Sequence, residues 1–379
     1  MFKRTLIVLT AFLLLIAAGI KLRYGGGADF PNRLPAGAAL FPESALEVVA
    51  NLPTPPGNIA VSREGRVFIS VHPEAHPALK VVELVKGQMQ PFPNAAYQDD
   101  RDAHAFNNVL GIRLDAQNRL WTLDNGTHGL NPPRLLAFDI GTGALVHDYT
   151  FGKDVAGLGS HLNDLQVSPD GRYVYIADAS FFAKTPALVV YDTQQHSARR
   201  LLQNHASVTA EHYTAVVQGR RMEVLGLLAI RPGVDSIALD AHGEWLYYAP
   251  VTNLNLSRVR TRDLLDEKLS AAELAQRVET YAPKTMADGI TMDTANNVYL
   301  SDLEHSAIVR LRADKTMETL VQTMRLRWPD GFSFGPDGWL YITCSSLHHV
   351  IGKPPSSITD NAPYQVFRIK LDTQGVVGR

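Results

Sequence analysis

Six short stretches of the chain open on a polar or small pair, and these pairs hold the residue types best suited to chemistry. They are Gly57-Asn58, Leu110-Gly111, Asn163-Asp164, Asp235-Ser236, Asp288-Gly289 and Asp330-Gly331. Each pair precedes an alternating apolar run, so each sits at the head of a β-strand. Asn163, Asp235 and Asp288 are oxygen donors from three consecutive stretches. With a carbonyl oxygen from Asn58 they form a hard-donor set, which suits Ca²⁺ or Mg²⁺ rather than zinc or copper. Asp288 is the candidate catalytic base, if it stays unbound or activates water. No organic cofactor is expected. A second group lies one strand pair further on, at Asp124, Asn125 and His128, at Phe181 and Phe182, and at Asp302, Glu304 and His305. From it Asp124, His128, Phe181, Phe182 and Asp302 are candidate ligand-binding residues, the carboxylates for a cation and the rings for an aromatic body. Asp330 stands in Pro-Asp-Gly, a common turn sequence, and is expected to be structural. His348-His349 reads as a solvated loop, and the Asn125-Gly-Thr127 glycosylation match as accidental.

The elements that must position these residues repeat six times. A strand, a Gly/Asn/Asp turn and an aromatic or β-branched strand recur in GNIAVSREGRVFIS (from Gly57), LGIRLDAQNRLWTLD (Leu110), NDLQVSPDGRYVYIAD (Asn163), DSIALDAHGEWLYYAP (Asp235), DGITMDTANNVYLSD (Asp288) and DGFSFGPDGWLYITC (Asp330). A further strand pair follows most copies, for example RLLAFDI with ALVHDYTF. Four strands in each of six units make an all-β, six-bladed propeller with antiparallel blades. The last unit lacks its fourth strand, while a spare one, ALEVVANL, runs from Ala45 to Leu52. That strand is expected to close the ring by completing the last blade, which hides two edges. In such a blade the innermost strand starts on the side where the second strand ends, so both groups of candidate residues share one mouth of the central channel. One short helix is expected over residues 270–282, inserted after the blade-four strands. Its signals are a Ser270–Glu273 capping box and a Leu269–Leu274 staple. The insertion over residues 203–232 carries no readable pattern.

Residues 5–20 form an uncharged run of sixteen, flanked by Lys3, Arg4, Lys21 and Arg23 and followed by Gly25-Gly26-Gly27. Sixteen is short of the ~20 residues of a membrane span and slightly beyond the ~7–15 of a signal-peptide core. Residues 1–24 are therefore expected to be a signal peptide or signal anchor, residues 25–44 a linker and residues 45–379 the propeller. The propeller is placed outside the cytoplasm: periplasmic, membrane-anchored or secreted. The 36 Lys plus Arg against 38 Asp plus Glu leave no basic surplus for nucleic acid. The one cysteine, Cys344, excludes a disulfide framework and a thiolate zinc cluster. The expected partner is a small molecule, with membrane contact only through the N-terminal segment, and a monomer is expected.

Several stretches resemble the yellow/major royal jelly protein family. LWTLDNGTHGLNPPRLLAFDIGTG is similar to the family's second-blade segment, HLNDLQVSPDGRYVYIADAS to its third, and GVDSIALDAHGEWLYYAPVTNLNLSRVRTRDLLDEKLS to its fourth. MADGITMDTANNVYLSDLEHSAIVRL and WPDGFSFGPDGWLYI continue the likeness, which spans residues 45–371. The single cysteine suggests a bacterial-type member. The resemblance implies a propeller that binds small molecules in its channel; some animal members are associated with biogenic amines or dopachrome conversion. Asn163, Asp235 and Asp288 also resemble the strand heads of gluconolactonase-type (regucalcin-like) propellers. That likeness implies two metal ligands at Asn163 and Asp235 and the Asp role at Asp288, with Gly57-Asn58 standing where that family has a Glu. Three functions follow: binding of an amine or aromatic ligand at the channel mouth, a divalent-metal-dependent lactonase-like hydrolysis, or a structural and interaction role.

Overall fold

The computed structural model describes residues 2–102 and 104–379; Met1, Ala103 and the side chains of Phe2, Lys3 and Arg4 lie outside the described residues. Six four-stranded antiparallel sheets form a propeller. The innermost strands are Pro56–Val61, Val109–Leu114, Leu162–Val167, Val234–Leu239, Ile290–Met292 and Pro329–Phe334. Sheets packed on both faces bury nearly every residue of these strands, which is why they read as apolar runs. The cores lie between neighbouring blades: Trp121 and Leu123 of blade two, for instance, pack on Leu165 and Ile176 of blade three. Turn chemistry fixes the registers. Asp115 accepts from the backbone N–H groups of Gln117 and Arg119 at 2.9 and 3.0 Å, and Asp293 does the same for Ala295 and Asn297 at 2.9 and 2.8 Å.

The ring closes as the unpaired N-terminal strand predicts. Glu47–Leu52 is the outer strand of blade six and pairs with Tyr364–Lys370, from Glu47 opposite Arg368 to Leu52 opposite Tyr364. In blade four the helix is shorter than expected. The capping box forms, but the helix covers only Ala271–Ala275, and Glu279–Pro283 is the fourth strand of the blade. The strand wins there because Asn255–Arg260 would otherwise keep an unpaired edge, and because Tyr281 and Ala282 gain burial against blade five.

Five of the six innermost strands carry a register shift at their heads, between Pro56 and Ile59, Val109 and Ile112, Leu162 and Leu165, Val234 and Ser236, and Pro329 and Phe332. A bulge brings two successive residues to the same side, and both members of Asn163-Asp164, Asp235-Ser236 and Asp330-Gly331 line the channel cavities. Crowding at the axis selects glycine in the second row. A Cβ on Gly289 would collide with the Asp330 carbonyl oxygen, and one on Gly111 with that of Asn163.

Two further structures bound the channel. Residues 374–379 lie across its lower end. Gly378 accepts from Leu114 N (3.3 Å), Arg379 accepts from Phe334 N (2.7 Å), and Gln374 accepts from Thr294 N (2.8 Å). The Arg379 guanidinium donates to Val167 O at 2.8 Å. Above the strand heads the 203–232 insertion folds into two small hairpins, Val216–Val217 with Arg220–Arg221 and Glu223–Val224 with Leu228–Ala229. They are tied to blades four to six by Glu211 N to Asn253 Oδ1 (2.8 Å), Val216 N to Glu304 Oε1 (2.9 Å) and Arg220 Nη2 to Ile351 O (2.7 Å). Residues 25–44 do not hang free. Phe30 is buried among Val217, Met222, Trp328 and Leu347, and Phe41 donates its N–H to Leu320 O at 2.8 Å.

Candidate functional site

Between the strand heads and the hairpin roof lies a cavity of about 430 Å³, within the range of small-molecule sites. Asn163, Asp235, Asp288 and Asp330 line its floor. His72, His128, His161, Phe181, Phe182 and Trp328 line its walls, and Val224, Leu228, Ile230 and Pro232 come from the roof. The second row of strand heads holds a deeper layer. There the buried Arg113 guanidinium donates to Asn58 Oδ1 at 2.7 Å and to Asp164 Oδ2 at 3.3 Å, while Asn58 Nδ2 donates to Asp164 Oδ1 at 2.9 Å.

The structure brings Asn163, Asp235 and Asp288 together: the Asn163 carboxamide donates to Asp235 Oδ1, and Trp328 Nε1 donates to Asp288 Oδ2 at 2.6 Å. His128, Phe181 and Phe182 stand in the wall above, with the His128 and Phe182 rings edge to face at 4.7 Å. The remaining candidates fall elsewhere. Asn58 is turned toward Arg113, so its carbonyl oxygen is already engaged. Asp124 is a latch rather than a cavity residue, accepting from the N–H groups of Asn107, Asn108 and Gly126 at 2.6, 2.9 and 3.0 Å. Asp302 likewise holds its own loop, accepting from His305 N at 3.0 Å and facing the His305 ring at 2.9 Å. Both terminate second strands, and that position aims a carboxylate at the neighbouring loop backbone. Asp330, expected to be structural, belongs to the floor. His348, expected in solvent, is buried beside Trp328. His72, His161, Trp328, Asp164 and Arg113 carried no sequence signal beyond position; Asp164 alone stands in a strand-head pair.

Electrostatics make the floor unusual. Burial pushes the Asp288 carboxyl up to about 6, against the hydrogen bonds from Trp328 and Asp235 that lower it. Burial and the charges of Asp288 and Asp330 hold Asp235 well above the usual carboxylate range, and burial and Asp288 do the same to Asp330. Burial and the repulsion of the neighbouring carboxyls favour the protonated form at this floor. Among the described residues no Lys or Arg forms an ion pair with these three groups; His72 Nε2 lies 3.9 Å from Asp330 Oδ2, and burial pushes its pKa down to about 3. Lys284 is buried nearby, pushed down to about 7 by burial, and donates to Val251 O (2.8 Å) and Thr285 O (3.1 Å). Among the described residues no three His, Cys, Asp or Glu side chains are arranged to hold a metal ion. Asn163 Oδ1, however, is a buried acceptor without a partner, beside two carboxylates.

Fold and site together define a six-bladed propeller with an acid-floored cavity at one end of its channel. The family model described as Major royal jelly protein matches residues 108–335, and the chain belongs to that family. Similar relatives from Apis mellifera include Major royal jelly protein 9, 24% identical over 196 residues that make up 49% of this chain and 44% of that protein. Major royal jelly protein 3 is 29% identical over 200 residues, 48% of this chain and 35% of that protein. The chain thus spans less than half the length of these relatives. Among solved structures, the calcium-binding protein regucalcin from Agrobacterium tumefaciens aligns with a TM-score of 0.57 at 16% identity, covering 90% of this chain and 98% of that one. A gluconolactonase from Xanthomonas campestris aligns with a TM-score of 0.55 at 14% identity, covering 91% and 98%. At these identities the likeness is one of fold.

Proposed function

We propose that this protein binds a small organic cation with an apolar or aromatic body in the channel mouth, outside the cytoplasm. The observation that carries this reading is the floor of three carboxyls, Asp235 and Asp288 buried and Asp330 partly so, unpaired by any Lys or Arg among the described residues, beneath a wall of aromatic rings. Buried carboxylates without a counter-charge are costly, and an ammonium group removes that cost while the rings take up its apolar body. The closed lower end makes the cavity a receptacle rather than a passage. The apolar N-terminal helix, Thr5–Tyr24, supports delivery across a membrane.

One observation favours a second reading, metal-assisted hydrolysis of a lactone. The unpartnered Asn163 Oδ1 with Asp235 and Asp288 is an oxygen set fit for a hard divalent cation. These three residues would hold the ion, and waters would replace the Asn58 oxygen that Arg113 engages. Such an ion would supply carbonyl polarisation. Thermal-shift measurements in chelator separate the two readings. The binding reading expects tyramine to raise Tm without metal and its uncharged alcohol analogue, tyrosol, to leave it unchanged. Stabilisation by Ca²⁺ alone, with lactone turnover and no amine response, would replace the first reading with the second.

A further inference from the structure

The N-terminal helix is fastened to the rim of the cavity without slack. It spans Phe2–Tyr24, and within Thr5–Tyr24, a segment of 20 residues that includes Lys21 and Arg23, the mean hydropathy reaches 2.4. Twenty residues rise about 30 Å, the thickness of a bilayer's hydrocarbon core. Side chains from Leu6 to Ile16 are all exposed. The helix end is the reverse. Tyr24 donates to Phe182 O at 2.8 Å and its ring lies 6.4 Å from that of Phe181, with Lys184 Nζ 5.2 Å from the Tyr24 centroid. Arg23 donates to Ala183 O at 3.2 Å, and Arg231 to Tyr24 O at 3.2 Å and Gly25 O at 3.0 Å. A tyrosine with basic neighbours at the end of an apolar helix marks the membrane–water interface. Here the same tyrosine touches two loops of the channel mouth.

That end of the propeller is also apolar outside the cavity. Leu158, in the loop leading into blade three, is 73% exposed, and Leu225, at the tip of a roof hairpin, is 89% exposed. Leu130, Phe182 and Met324, on loops at the same end, are exposed as well. At the opposite end the exposed turns carry Arg63-Glu64, Gln117, Asp170, His242 and Asn296.

We propose that the mouth face of the propeller lies on the bilayer that holds the helix, with Leu158, Leu225 and their neighbours seated among the headgroups. The helix end fixes the distance, since a propeller bolted to Tyr24 at the interface cannot stand away from it, and the exposed apolar loops face the same plane. Taken with the ligand reading above, on which this last step rests, the cavity takes up amphiphilic cations concentrated at the lipid interface.

The test uses the full chain in vesicles of phosphatidylcholine and phosphatidylglycerol, with nitroxide labels on the variants Leu158→Cys, Leu225→Cys and Gln117→Cys and no ligand present. Cys344 is 1% exposed and stays unlabelled. The labels at 158 and 225 should be about tenfold less accessible to a water-soluble nickel relaxant than the label at 117. Should either rim variant fail to melt cooperatively, Met324→Cys replaces it. Equal accessibility at both ends of the propeller overturns the proposal, as does a membrane-fraction protein whose mass lacks residues 1–24. Because no ligand is present, failure here is distinct from failure of the ligand reading, which the thermal shifts report.

Discussion

Replacing Asp288 by Asn should make the ligand-free protein more stable, and only above the pH at which Asp288 ionises. Burial raises this carboxyl from 3.8 to about 6 in the folded protein. For an acid whose folded pKa is raised, the associated stability is complete below the unfolded value and lost as pH rises through the folded one. About two pKa units correspond to about 3 kcal/mol. The Asp288→Asn variant would escape that loss, and the new amide can still accept from Trp328 and donate toward Asp235. For a domain of ~330 residues the gain amounts to about 4 °C in Tm. Calorimetry in chelator at pH 8 should show the variant melting higher, with the two curves converging only below the unfolded value of 3.8. A lower Tm for Asp288→Asn at pH 8, or the same gap at both pH values, would refute the reasoning, because the carboxyl would then not be an ionised, uncompensated group.

Trp328→Phe removes the donor at 2.6 Å from Asp288, so the pH midpoint of the stability loss should move upward in a melting series; an unchanged midpoint counts against the contact. Gly289→Ala drives a Cβ into the Asp330 carbonyl oxygen, and chemical denaturation should show a loss of about 1–3 kcal/mol, whereas Gly37→Ala, whose Cβ meets nothing within 4 Å, probes backbone strain alone and should cost less. Deleting Glu47–Leu52 uncovers the edge of Tyr364–Lys370 in blade six, and light scattering should report aggregation or calorimetry the loss of one cooperative melt.

The repeat made most of the fold legible. Six strand heads with shared turn chemistry define six blades, and the missing fourth strand at one end matches the spare strand at the other. The sequence placed the pair Asn163-Asp164 at the channel, but the register shift that turns both inward and the tie of Asp164 to Arg113 in a deeper layer are visible only in the structure. Asp330 was obscured because its Pro-Asp-Gly context also describes a turn, and only the ring shows it to be a fourth floor residue. Asp124 and Asp302 have the right type and the right mouth, but the end of a second strand points them at loop backbone. Apart from the Arg379 guanidinium, the tail over residues 374–379 acts through main-chain bonds, which leave no side-chain pattern. The roof consists of two-residue strands, too short for any periodicity.

The proposed function has the neighbouring carboxyls of Asp235 and Asp288 take a cation in exchange for a proton. It is tested most directly by titrating tyramine into metal-free protein at pH 6 in two buffers of different ionisation enthalpy, which counts the protons released. Release of up to about one proton per amine bound is expected, with affinity rising by at most about tenfold per pH unit toward pH 7. Binding without proton release and independent of pH, or heat only on addition of Ca²⁺, would contradict it.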